Sequence, residues 1–340
     1  MGVFFLFMVK LDSFQIITII RLFFAIIIRK LIFVHCFVRG IRVNAKIKLI
    51  TTMLIFGSIG IFVKNIDLSS SEVALFRGAI GSLFLIGASL LIKQKISYQS
   101  TRENFILLLL SGAAIGFNWI FLFESYRFTT ISNATISYYF APVFVMMLAP
   151  IILKEKLTPV KIGSIIAAMV GLLLVVNNGG EATGGSYQHG IGIMYGLAAA
   201  ALYASVILMN KFIKNLSGFE TTLVQLMVAT IVLFPYVLWK DQIDLAGIDR
   251  TSIIFILIVG IIHTGMAYFL YFTSIKELKG QTIAILSYID PISAVVMAAI
   301  FLREGMTLVQ IIGGILILGS TFLSEKLELI FQNATVKTKH

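Results

Sequence analysis

Four ionisable side chains lie inside or at the rim of long apolar runs, where charge is costly and rare. Asp290 sits about nine residues into a hydrophobic run and directly before Pro291. At 1.5 Å per residue that is about 13 Å from the start of the run. The proline has no N–H and frees a carbonyl in the preceding turn, so the carboxylate shares its depth with further polarity. His263 occupies the middle of the preceding run. An aspartate and an imidazole that met there could relay a proton or hold an ammonium-bearing solute. The plainer reading makes each a polar group satisfied by a neighbouring helix. Arg77 near the start of one run and Glu124 at the end of another could meet as a gate, a static ion pair or a snorkelling arginine.

A set of aromatic and amide residues is placed to line a cavity among the same runs: Asn118, Trp119, Tyr138, Tyr139, Tyr203, Tyr268, Tyr271 and Tyr288. Aromatic faces bind organic solutes and cations, and hydroxyls orient them. Ordinary packing is the alternative use of any single tyrosine. Glycines such as Gly171, Gly192, Gly196, Gly313 and Gly314 speak for close helix approach rather than for solute.

The elements that must position these residues are membrane helices. Hydrophobic residues make up 59% of the 340 and charged residues 13%, where a soluble domain carries roughly a quarter charged; mean hydropathy is +0.99. The apolar runs are continuous rather than alternating, and each is long enough to cross a roughly 30 Å hydrocarbon layer as a helix. Ten helices are predicted, near 49–64, 73–92, 104–124, 133–153, 159–177, 191–210, 219–239, 251–273, 282–302 and 308–324.

The chain also repeats itself. Shifted by about 149 positions, 123–162 falls on 272–311 without a gap, matching Tyr139 with Tyr288, Pro142 with Pro291, Glu155 with Glu304 and Thr158 with Thr307. The two charged candidates of the second half, His263 and Asp290, fall on Ala114 and Ala141. What the halves share points to architecture, and what they do not share points to function. Glu155 and Glu304, each beside a basic residue, read as helix caps or loop salt bridges. The predicted organisation is a hydrophobic, basic extension over 1–45, a first repeat over 46–177, a glycine-rich linker over 178–190, a second repeat over 191–325 and a tail over 326–340. Five helices per repeat is odd, so the second repeat enters the membrane from the opposite side.

Lysine and arginine counting sets the orientation: roughly 17 fall on one side and 5 on the other, which places both termini in the cytoplasm. Residues 1–40 hold no clean span. They read as an interfacial helix, an imperfect eleventh span or sequence upstream of the true start.

Several chemistries find no foothold. The single cysteine, Cys36, leaves no disulfide framework and no CxxC metal or redox site. No phosphate-cradling loop, GxSxG or HExxH motif occurs, so no cofactor or metal is expected. The net charge of +11 is dispersed in short loops and does not form a nucleic-acid face.

The stretches FESYRFTTISNATISYYFAPVFVMMLAPIILKEKLTP and FTSIKELKGQTIAILSYIDPISAVVMAAIFLREGMTLVQI, with the early helix-2 arginine in LFRGAIG, resemble the two halves of an EamA transporter of the drug/metabolite transporter superfamily. The resemblance spans about 46–325. It implies an all-α integral membrane fold of ten helices in two inverted five-helix repeats, a central cavity, and transport of small metabolites, often export. The reading is a secondary transporter of amino-acid-like or amphiphilic solutes in the plasma or inner membrane, with a small-molecule substrate and the bilayer as partners. A membrane-embedded enzyme or a flippase for lipid-linked substrates is the alternative. The sequence carries no signal for oligomeric state.

Overall fold

The structure, a computed structural model, describes residues 44–91, 93–94, 96–154, 157–177, 188–241, 248–278 and 280–337. Residues 1–47 and 48–340 form separate units; of the first only 44–47 are described, and the contacts discussed below belong to the second. The expected extension, most of the glycine-rich linker and Glu155 lie outside the described residues.

Every regular element among the described residues is helical. The first half holds α1 (Ala45–Lys64), α2 (Ser70–Leu91), the short α3 (Tyr98–Glu103), α4 (Phe105–Phe128), α5 (Ile131–Tyr138), α6 (Ala141–Ile152) and α7 (Pro159–Asn177). The second holds α8 (His189–Asn210), α9 (Gly218–Lys240), α10 (Arg250–Ile258), a π-helical segment (Val259–Met266), α11 (Ala267–Ile275), α12 (Gly280–Ser287), α13 (Ile289–Phe301) and α14 (Leu308–Lys337). Eight helical stretches are long and apolar enough to cross a membrane, and Ile285–Phe301 and Leu308–Ser324 are two shorter apolar ones. With the repeated sequence this gives the ten-helix, twice-five architecture.

The departures from ten uninterrupted rods have local causes. Helix four breaks after Tyr138 and helix nine after Ser287, so each half breaks at the tyrosine three residues before its proline. Pro142 and Pro291 cannot donate to the carbonyl four residues back, and each stands within the first three residues of the next segment, where no such donor is needed. Helix eight widens into a π turn midway. The final helix runs past the expected end near 324 to Lys337. Lys154 and Arg303, a repeat-related pair just beyond α6 and α13, share left-handed backbone with φ 57° and 55°. The two halves therefore end these helices in the same turn.

Packing interleaves the halves. Helix α4 lies against α8 and α9, α2 against α9 and the π segment, α7 against α14, and α5 against α13. The α7–α14 crossing is made by glycines: a Cβ on Gly171 would stand 2.6 Å from the Gly313 carbonyl oxygen, and one on Gly313 would stand 2.6 Å from that of Gly171. Only a backbone without Cβ allows this approach. A core of Ile136, Phe140, Val143, Ala168, Val175, Ile193, Ala200 and Ile317 fills the space between α5, α6, α7, α8 and α14. Many remaining apolar side chains, such as Leu90, Ile151, Ile231 and Ile315, face outward, as a lipid-facing surface requires.

Charged residues tie the helix ends. Glu304 is 7% exposed. It accepts from Lys64 Nζ (2.8 Å), the Ile131 amide (3.0 Å) and the Ser132 amide (3.2 Å). The expected cap is thus present on α5 of the other half, rather than on the following helix. At the opposite end Glu220 closes a capping box with Ser217 and also accepts from the Ser97 amide (3.0 Å). At the start of α10, Asp249 caps the Thr251 and Ser252 amides. Its hydrogen bonds to Ser252 first, and then to Thr251, hold its carboxyl below the ordinary range.

Candidate functional site

The site lies where α2, α4, the helix-four break and the π segment converge. Asp290 is the second residue of α13, immediately after the break at Tyr288. It is half-buried, and its Oδ2 accepts a 2.5 Å hydrogen bond from Tyr139 Oη. Tyr139 stands at the equivalent break in the first half. The two prolines thus bring together the break residue of one repeat and the unshared carboxylate of the other.

The expected meeting of Asp290 with His263 is not what forms. His263 is fully buried in the π segment, with Nε2 2.9 Å from Ser58 Oγ, Nδ1 3.4 Å from the Ile258 carbonyl and its ring 4.9 Å from Phe62. The Asp290 hydrogen bond goes to Tyr139. Helix eight turns His263 toward α1, whereas Asp290 projects from a different break.

The Arg77–Glu124 pair is likewise corrected. Glu124 approaches Arg127, one turn along its own helix, at 4.0 Å. Arg77 points the other way, into the bundle. It is 5% exposed, lies over Trp119 at 4.2 Å and near Phe123 at 5.6 Å, and donates from Nε to Thr264 Oγ1 at 2.9 Å. Thr264 is available because of the π turn. Its hydroxyl reaches back to the Val259 carbonyl, five residues earlier, as His263 reaches to Ile258, and π turns recur at functional positions for this kind of reason. Gly81 lets the segment lie flat on α2, since a Cβ there would overlap the Thr264 side chain.

The aromatic set divides. Tyr138 packs on Tyr139 (5.9 Å) and Tyr203 (5.6 Å). Tyr268 and Tyr271 both contact Phe272, and Tyr268 also meets Phe56. Tyr138, Tyr203 and Tyr268 lie within electrostatic reach of Asp290, and Tyr203 within reach of Tyr271. Tyr138, Tyr139, Tyr203, Tyr268, Tyr271 and Asp290 form one cluster, the candidate lining of a solute chamber. Tyr288 turns away to Thr321 (3.1 Å) and Phe322 on α14, so the tyrosine repeat mates have different partners. Asn118 donates to the Ala199 carbonyl at 2.6 Å and pins α4 to α8. Trp119 forms the floor under Arg77. Thr264, Tyr126 and Ser58 belong to this region and were not singled out from the sequence, because a hydroxyl in an apolar run reads as packing. At the end with Glu304's Lys64 partner, a separate cleft of about 420 Å³ is lined by Asp67, Ser69, Glu72, Arg127, Asp241 and Ile248 among others. Among the described residues no cluster of His, Cys, Asp or Glu could hold a metal ion.

Residues 43–177 and 190–325 each match the EamA-like transporter family. The chain belongs to that family. An uncharacterized transporter, YxxF of Bacillus subtilis (strain 168), is 33% identical over 281 residues, covering 83% of this chain and 89% of its own. An uncharacterized transporter of Clostridium kluyveri is 27% identical across 69% of this chain and 79% of its own. Human solute carrier family 35 member G1 is 24% identical across 76% and 73%. A crystal structure superposes with a TM-score of 0.58 at 15% identity over 83% of this chain and 98% of its own, a likeness of fold. This EamA-family chain is therefore a multi-pass membrane transporter of small solutes. The Tyr139–Asp290 bond and the Arg77–Thr264 bond each join its two family segments.

Proposed function

We propose that the chain is a secondary carrier for small organic metabolites, amino-acid-like or amphiphilic, working chiefly as an exporter by alternating access between its inverted halves. The observation that carries this reading is the Tyr139–Asp290 hydrogen bond, which links the broken helices of the two repeats inside the chamber. Binding between repeats at discontinuous helices is how such folds couple solute to movement. An ionised Asp290 accepts from Tyr139 and from an N–H of the solute. A proton arriving on it removes both the charge and an acceptor, so solute and proton exchange at one carboxylate. His263, bonded to Ser58 on α1, is a second coupling position in this scheme, and Tyr138, Tyr203, Tyr268 and Tyr271 supply the aromatic wall. The protein sits in the cell membrane with both termini in the cytoplasm.

The test is flux in proteoliposomes for a panel of amino acids and amphiphilic amines, with and without a pH gradient, in wild type and Asp290→Asn. Gradient-driven flux lost in the variant is the expected result. Flux that ignores both gradient and substitution makes Asp290 structural and the chain a facilitator.

A further inference from the structure

We infer that Arg77 is the solute's anion hook, and that the solute carries a carboxylate. Arg77 contributes a guanidinium that stays charged and offers five N–H donors in a planar fork. The protein uses little of it. Nε goes to Thr264, and one face of the plane rests on Trp119. Among the described residues no carboxylate lies within ion-pair distance. The two Nη atoms have no hydrogen bond to the described protein, yet they are not sealed in: among the described residues the one fully buried side-chain polar atom without a partner is Ser82 Oγ. Both Nη atoms therefore keep some accessible surface and unused donors.

Tyr126, Tyr138 and Tyr268 lie within electrostatic reach of Arg77, as does His263. The same three tyrosines lie within reach of Asp290. Arg77 and Asp290 thus lie near the same three tyrosines without bonding each other. A carboxylate meeting the Nη edge in plane makes two parallel charge-assisted bonds. Stacking on Trp119 and the Thr264 bond hold the fork still for it, so little rotamer freedom is lost on binding. A lone cation offers nothing to this edge.

The inference rests on the carrier reading for the use of the site, but its test is a binding test. The chain has two tryptophans. Trp239 is 82% exposed and Trp119 is 4% exposed, so Trp239→Phe leaves an indole directly under Arg77 as reporter. The purified Trp239→Phe protein in lipid nanodiscs is titrated with phenylacetate, phenylacetamide and phenethylamine, and Trp119 emission is followed. Phenylacetate is expected to give a saturable change that the amide and amine do not. Arg77→Lys in that background should weaken it on the order of tenfold, and Arg77→Gln should lose it. An equal response to amide or amine, no saturable response to phenylacetate up to millimolar concentration, or an undiminished response in Arg77→Gln overturns the hook. The ligand series needs no change at Arg77, so a variant that fails to fold does not blunt it. Loss of the hook with intact Asp290-dependent amine flux leaves the carrier standing. Carboxylate binding without any flux leaves the hook and removes the carrier.

Discussion

At the scale of single residues, the hydroxyl of Tyr139 has a defined job that phenylalanine cannot perform. Tyr139→Phe keeps the ring against Tyr138 and deletes only the bond to Asp290. Solute flux in proteoliposomes should fall about tenfold, the equivalent of ~1.4 kcal/mol for a hydrogen bond to a charged acceptor. Unchanged flux would mean that the bond is incidental to transport. Asp290 was legible as a candidate because a carboxylate stands out in an apolar run, and more so because its repeat mate is an alanine. Its partner was half legible: Tyr139 was marked by the repeat, but the hydrogen bond across repeats was not. Arg77 shows the limit. Its charge and depth can be read from spacing, but whether it turns toward Glu124 or Trp119 depends on which neighbour packs on that face of α2, and no local pattern encodes that.

Among the elements, the telling contrast is between two ion pairs at opposite ends of the bundle. Glu304 is nearly buried and holds Lys64 together with two amides of α5, whereas the Glu277 side chain is 59% exposed where it meets Lys48 at 3.3 Å. Glu304→Ala removes a helix cap and leaves a partly buried lysine without its carboxylate, a cost of about 2 kcal/mol. Glu277→Ala should stay within about 0.5 kcal/mol. Thermal unfolding in detergent checks both: a clear fall in Tm for the first alone is expected, and equal shifts would mean that Glu304 is not a clamp. The spans themselves were readable from run length, and the prolines hinted at the broken helices without giving the position of the break. The π turn left no mark, because hydrophobic residues on all sides give helix eight no face whose drift could be followed.

For the whole molecule, the interleaving of α2 with the π segment, α4 with α8 and α7 with α14 means that neither repeat is a free-standing body; each completes the other's core. Its sidedness is testable directly. In a Cys36→Ser background, Arg250→Cys and Glu103→Cys introduce thiols at exposed positions at opposite ends. A membrane-impermeant maleimide on intact cells should label the first, and the second only after permeabilisation. The reverse pattern would invert the proposed topology. The repeat made the twice-five architecture legible, since it is written along the chain, and Ala114 and Ala141 opposite His263 and Asp290 showed that the halves differ in residue type, while the different partners of Tyr139 and Tyr288 emerged only from contacts.

The π segment also makes the molecule more sensitive to the number of residues than to their identity. Each residue advances a helix by about 100°, and Tyr268 and Tyr271 come after the widened turn. Losing one residue there and closing the helix to an ordinary pitch would leave the composition almost untouched. Because the closed turn takes up the missing residue, Tyr268 and Tyr271 would keep their direction, while side chains inside the turn, Thr264 among them, would change theirs. In this stretch, an insertion or deletion of one letter is a change of aim.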